Sequence, residues 1–106
     1  MRFKIDFDRS GDAGLILRLS GEIDVSVQEH LLAMFEEALL GRPAAIVVDL
    51  AGLRFLDCSG IRALLRAQRD AAAYGCILTV RNPQPVVERV LRILRVAELL
   101  GLPPAP

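Results

Sequence analysis

Four residues in direct succession, Asp57, Cys58, Ser59 and Gly60, combine an acid, a thiol, a hydroxyl and a glycine. They follow a predicted strand and a short loop, and they open a predicted helix. In open α/β sheets, sites form beyond the carboxyl ends of the strands. A helix N-terminus also favours an anion, because its free N–H groups and its dipole point outward. A phosphate here would be held by the helix end, and its charge would repel an acidic partner surface.

A simpler interpretation of the same residues stays open, in which Asp57 or Ser59 only caps the helix and contributes about 1 kcal/mol. Catalysis by Cys58 is not expected, because no His or Lys is placed by the sequence to act as its base. The single histidine, His30, lies in another predicted helix without Cys or acidic partners at ligand spacing. The sequence therefore predicts a non-enzymatic domain with no metal and no cofactor.

Three arginines, Arg62, Arg66 and Arg69, recur at spacings of four and three along the helix that Asp57 precedes. Such a stripe is typical of a solvated helix face. It could equally form a basic rim that contacts an acidic partner surface and steers its approach.

The two cysteines, Cys58 and Cys76, are not expected to pair. A predicted helix of about 14 residues separates them, which is roughly 20 Å at 1.5 Å per residue. A disulfide needs the two Cα atoms within about 7 Å. Cys76 is predicted to be a small buried apolar residue.

The elements that position these residues are predicted from hydrophobic periodicity and from turn residues. Apolar residues alternate in two opening strands, 3–7 and 15–19, which form a hairpin. A helix follows from Ser26 to Gly41, and Ser26 with Glu29 matches a capping box. The remaining elements are a strand at 45–50, a helix at 59–73, a strand at 76–81 and a helix from about Pro85.

This order predicts an α/β fold with a mixed four-stranded sheet, made of an N-terminal hairpin and two right-handed parallel crossovers. The helices are expected mainly on one face, because the other face carries polar residues: Lys4, Asp6, Arg18, Asp49, Thr79 and Arg81. Ile16, Val47 and Ile77 interrupt this polar face. They are either isolated surface residues or a modest apolar strip that a partner or a second copy covers.

The whole chain of 106 residues fits one domain, with a core from about 4 to 102 and a frayed tail at 103–106. Its 13 basic and 13 acidic residues give a formal net charge of zero, which disfavours nucleic-acid binding. No apolar run reaches the length of a membrane span, and the N-terminus does not resemble a signal peptide. We therefore expect a cytoplasmic protein.

Three motifs in order give the chain a resemblance to a known family. Gly21 to Asp24 reads GEID before the first helix, Asp57-x-Ser59-Gly60 precedes the second, and Asn82-Pro83 precedes the third. From about Lys4 to Leu102 the chain resembles a STAS domain, and it most resembles the bacterial anti-sigma factor antagonists.

The resemblance implies a non-enzymatic switch. In that family the unphosphorylated antagonist binds an anti-sigma factor, a serine kinase with an ATP-binding fold, and so releases a sigma factor. Phosphorylation directly after the motif aspartate breaks the complex, and a serine phosphatase resets it. The resemblance places the partner-binding surface on Asp24, Asp57, Cys58, Ser59, Gly60 and the exposed start of the second helix. The basic-rim interpretation adds Arg62 and Arg66 to this surface.

The sequence departs from the family at the phospho-acceptor position, where Cys58 replaces Ser or Thr. Three interpretations remain: a constitutive binder that escapes phosphorylation, Ser59 as a shifted acceptor, or Cys58 as a redox-sensitive thiol. A helix N-terminus stabilises a thiolate, although Asp57 opposes this. The alternative function is a sensory or scaffold module that assembles with other STAS domains. A monomer or weak dimer is expected.

Overall fold

A computed structural model describes residues 3–10 and 14–105, with four strands and three α-helices in the described ranges. The strands are β1 (Phe3–Ser10), β2 (Gly14–Ile23), β3 (Ala45–Leu56) and β4 (Ile77–Arg81). The helices are α1 (Gln28–Leu40), α2 (Cys58–Ala73) and α3 (Pro85–Ile93), and a short 3-10 turn, Val25–Val27, precedes α1.

The strands form one mixed sheet in the order β1-β2-β3-β4. β1 pairs antiparallel with β2, whereas β2 with β3 and β3 with β4 are parallel. Helices α1 and α2 are the connections between the parallel strands, as such pairs require. The predicted hairpin with two helical crossovers is confirmed.

One face of the sheet is apolar and buried, and the helices share its core. Inward side chains of β2 and β3, such as Leu17 and Val48, belong to the same hydrophobic cluster as Leu31 of α1, Leu64 of α2 and Leu91 of α3. The opposite face carries the predicted polar side chains: Lys4, Asp6 and Arg18 are exposed, Thr79 and Arg81 are half-buried, and Asp49 is buried. The sheet therefore has one apolar face, which packs against the helices, and one polar face.

Strand β3 is longer than the sequence predicts: it continues past Leu50 to Leu56, where we expected a loop. Two register shifts against β2 insert extra residues into β3. As a result the buried residues Leu50, Leu53 and Leu56 are spaced by three instead of two. Bulges of this kind interrupt the alternation of buried and exposed residues from which a strand is recognised. The predicted C-terminal end of β3, at Leu50, is therefore wrong. Only Asp57 separates the strand from α2.

The start of α1 also differs from the prediction. Ser26 lies inside the 3-10 turn, whose N-cap is Asp24, and α1 begins at Gln28 with no side-chain cap. The backbone N–H of Ser26 donates to Asp24 Oδ1 at 2.9 Å, and the Ser26 hydroxyl donates to the same oxygen. The predicted Ser26–Glu29 capping box is therefore wrong, because the preceding aspartate takes the capping role.

The segment after α3 is held along the outer edge of β4. The backbone N–H of Val80 donates to Leu100 O at 2.8 Å. From α2, Gln68 Nε2 donates to Leu78 O at 3.1 Å and to Leu99 O at 2.8 Å. These bonds satisfy backbone groups that an edge strand leaves free. Among the residues described, no helix combines the length and apolarity needed to cross a membrane.

Candidate functional site

The candidate site lies where β2 and β3 end side by side. Ile23 and Leu56 are partners at the end of the paired strands, and each is followed directly by an aspartate, Asp24 or Asp57. The backbone N–H of Asp57 also donates to Ile23 O at 3.2 Å, which ties the two strand ends together. The structure thus brings together two aspartates that lie 33 positions apart in the sequence.

Asp57 is the N-cap of α2. Its Oδ1 accepts hydrogen bonds from the backbone N–H of Ser59 at 2.9 Å and of Gly60 at 3.2 Å. The Ser59 hydroxyl donates to the same oxygen. Two of the free N–H groups of the helix are therefore satisfied by one carboxylate. The capping interpretation is correct for Asp57, and the cap also fixes the first turn that carries Cys58.

Asp24 repeats this arrangement one strand away. In both Asp24-Val25-Ser26 and Asp57-Cys58-Ser59, the aspartate accepts from the backbone and the hydroxyl of the serine two residues later. The middle residue of each triplet, Val25 or Cys58, is exposed. The D-x-S spacing occurs twice in the sequence, and this repeat is the signal that could have predicted the pairing.

Gly60 allows the helix to start this close to the strands. A Cβ built on Gly60 would lie 2.3 Å from Leu56 Cδ1 and 2.7 Å from Ile23 Cγ2. These distances are too short for any side chain, so a larger residue would force the buried Leu56 and Ile23 side chains to repack or α2 to move. The glycine of the motif therefore has a packing reason in this fold.

The two candidate acceptor positions differ in exposure. Cys58 is the first residue of α2 and is exposed, whereas Ser59 is buried with only 9% of its surface accessible. The Ser59 hydroxyl is already bonded to Asp57. Phe55, just before the site, is also exposed although it is large and apolar. The surface around Cys58 is thus partly apolar, a feature that the sequence did not predict because Phe55 was expected in a loop.

Arg62 and Arg66 follow Cys58 by four and eight residues on the same helix, and both are exposed. This places them about one and two turns further along α2. A shallow groove beside them runs between α1 and α2, and it is lined by Gln28, Leu32, Arg62, Leu65, Arg66 and Arg69. Arg66 also pairs with Asp70 at 3.8 Å. The basic stripe therefore borders the exposed start of α2.

The described residues contain no group of three or more His, Cys, Asp or Glu side chains that could hold a metal ion. His30 is exposed, and its ring lies perpendicular to that of Phe3 with a centroid distance of 6.2 Å. Cys58 and Cys76 are both free, and Cys76 is buried as predicted. Burial raises the pKa of the Cys76 thiol above its ordinary value of 9.0, and a backbone hydrogen bond with Ile46 opposes that shift.

Comparison with known proteins identifies the fold family. A family profile described as "Mlab, STAS domain" matches residues 6–101, nearly the whole chain. The chain belongs to the STAS domain family. STAS proteins of the anti-sigma antagonist type are regulatory binding proteins and not enzymes.

Curated relatives and solved structures agree with this assignment. The chain is 30% identical over 79 residues to an anti-sigma F factor antagonist of Lysinibacillus sphaericus, covering 74% of this chain and 68% of that protein. It is 33% identical over 78 residues to the anti-sigma F factor antagonist of Paenibacillus polymyxa, covering 73% and 67%. The crystal structure of an anti-sigma factor antagonist from Mycobacterium paratuberculosis superposes with a TM-score of 0.80 at 21% identity, covering 97% of this chain and 86% of that one.

Proposed function

We propose that this STAS domain is an anti-sigma factor antagonist that acts in the cytoplasm and binds an anti-sigma factor through the start of α2. Two relatives of about one third identity carry that name. The observation that carries the proposal is the exposure of Cys58 at the first residue of α2, the position that the family uses for its switch. A partner can reach this turn without any rearrangement of the chain.

The residues of the proposed surface divide into two roles. Asp57, Ser59 and Gly60 are largely buried or hydrogen bonded, so their role is to hold the turn in place. Cys58, Arg62 and Arg66 are exposed, and Asp24 follows the end of the neighbouring strand, beside Asp57. In the complex, the exposed group contacts the partner, and the two arginines favour an acidic surface on it.

We further propose that the domain binds constitutively, because the kinase activity of the partner has no hydroxyl to modify at position 58. Ser59 is a poor substitute, since its hydroxyl is buried against Asp57 and a kinase would have to open the first turn of α2. A serine phosphatase would then have no substrate on this chain. The redox-responsive version remains the second possibility at the same residue, because the Cys58 thiol is free and exposed.

A phosphorylation assay tests this proposal. The purified chain is incubated with ATP and the purified kinase-type anti-sigma factors of the source organism, and phosphate is located by mass spectrometry. The wild-type chain should bind one of them and stay unmodified, whereas Cys58→Ser should be phosphorylated at residue 58. Cys58→Ser with Ser59→Ala is the matched control and should behave like Cys58→Ser. Phosphate on Ser59 of the wild-type chain would overturn constitutive binding, and the absence of any complex would overturn the antagonist function itself.

A further inference from the structure

The polar face of the sheet carries a row of four charges of alternating sign, one on each strand. The pairing register places Asp6 of β1 opposite Arg18 of β2, Arg18 opposite Asp49 of β3, and Asp49 opposite Arg81 of β4. Partners across a ladder point to the same face of a sheet. The row therefore reads minus, plus, minus, plus across the full width of the sheet, and we call it the charge row.

A row of this kind is complementary to its own reversed copy. We propose that the polar face is a self-association surface, on which a second copy of this chain packs face to face around a two-fold axis between β2 and β3. Such an axis runs along the strands and reverses the row of the second copy. Asp6 then faces Arg81 of the second copy, and Arg18 faces its Asp49. A two-fold interface requires this kind of self-complementary patch.

The next row along the strands obeys the same symmetry. Asp8, Ile16, Val47 and Thr79 are successive partners across the sheet. On reversal, Ile16 faces Val47 and Asp8 faces the Thr79 hydroxyl. An apolar pair therefore lies at the centre, where Val47 is half-buried and Ile16 is only 8% exposed within one chain. Polar pairs lie at both ends, which is the usual arrangement of an interface.

The charges on this face do not oppose association. The charge row and its two β1 neighbours on the same face, Lys4 and Asp8, hold three basic and three acidic residues: Lys4, Arg18, Arg81, Asp6, Asp8 and Asp49. Glu22, further along β2 on the same face, pairs with Arg54 at 3.7 Å. Arg18 pairs with Asp8 at 3.1 Å and Arg81 with Asp49 at 3.5 Å within one chain. The Arg18–Asp8 pair is about half exposed on both sides, and such pairs contribute only about 0–1 kcal/mol each, whereas the Asp49 side chain is only 12% exposed. The exposed carboxylates of Asp6 and Asp8 can therefore be shared with a second copy at small cost.

The size of the face indicates a weak complex. Four strands about 4.8 Å apart and about five residues of each strand cover roughly 300–400 Å² per copy. Stable interfaces bury about 800 Å² per partner. The helices and Cys58 lie away from this face, so the inference does not depend on the proposed function.

Charge exchange at the ends of the charge row tests the proposal, because Asp6 and Arg81 are substantially exposed, with side-chain accessibilities of 54% and 43%. Asp6→Arg places like charges at both ends of a self-associated pair, and so does Arg81→Asp. In a mixture of the two variants, every facing pair has opposite sign again. Glu37→Arg, an exposed position on α1, makes the same change of charge outside the row and is the matched control.

Sedimentation velocity at low salt, over a range from tens of micromolar to millimolar protein, measures the outcome. The wild type and Glu37→Arg should sediment increasingly as dimers, and added salt should reduce the dimer fraction. Asp6→Arg should weaken dimerisation by at least about tenfold, and mixing it with Arg81→Asp should restore it. If Arg81→Asp does not fold, the comparison of Asp6→Arg with Glu37→Arg decides alone. A wild type that stays monomeric at millimolar concentration, or a dimer that Asp6→Arg does not weaken, would overturn the proposal.

Discussion

Removing the Asp57 carboxylate should loosen the turn that presents Cys58. In Asp57→Ala, the N–H groups of Ser59 and Gly60 lose the acceptor that they contact at 2.9 and 3.2 Å. Loss of an N-cap aspartate costs about 1–2 kcal/mol. In a domain of this length, that loss lowers the midpoint of thermal unfolding by roughly 5–15 °C. Asp57→Ala should therefore fold, with a clearly reduced stability.

Urea unfolding followed by circular dichroism measures this effect, with two matched variants. Asp57→Asn keeps an acceptor oxygen and should lose only the charge interaction with the helix dipole, about 0.3–1 kcal/mol. Asp24→Ala removes the cap of a three-residue turn, so it should cost less than Asp57→Ala. Amide hydrogen exchange should also be faster at Ser59 and Gly60 in Asp57→Ala. A free energy of unfolding for Asp57→Ala equal to that of Asp57→Asn would refute the capping argument.

The other expectations concern packing and the cysteines. Gly60→Ala should lower the free energy of unfolding in urea by about 1–3 kcal/mol, because the added methyl group overpacks against the strand ends. Gly41→Ala is the control and should not destabilise the chain in this way, because its added methyl group would meet no atom closer than 3.8 Å. A maleimide should label Cys58 of the native chain rapidly and Cys76 only after unfolding, and mass spectrometry can distinguish the two sites. Equal labelling rates at the two cysteines of the native chain would contradict the burial of Cys76. Above pH 9.0 the unfolded chain loses the Cys76 proton while the folded chain keeps it, because the folded pKa is raised. The free energy of unfolding should therefore fall as the pH rises beyond that value, and it should fall less in Cys76→Ala.

Much of the fold could be predicted because the local signals agree with the final packing. The helical period from residue 59 to 73 predicted α2 to within one residue of its observed start at Cys58. Pro85 marked the start of α3, and the alternation in β1 and β2 predicted the hairpin. In these elements, the residues that the pattern turns inward are also the ones that the sheet and helices bury.

The errors occur where a long-range contact overrides the local pattern. The two bulges in β3 are set by its pairing with β2, so no alternation in residues 50–56 could reveal them. The false capping box arose because Ser26 and Glu29 have the right spacing, while the preceding Asp24 is the stronger competitor. The motif predicts a candidate site at the start of α2, but the buried state of Ser59 required the three-dimensional structure.

In the proposed function, the charge at the exposed first residue of α2 decides whether the anti-sigma factor binds. This is tested by the affinity of the purified partner for Cys58→Asp and Cys58→Asn, which have side chains of the same size and differ in charge. Cys58→Asn should bind like the wild type, and Cys58→Asp should bind at least about tenfold more weakly, a loss of about 1.4 kcal/mol. Equal affinity of the two variants would contradict it.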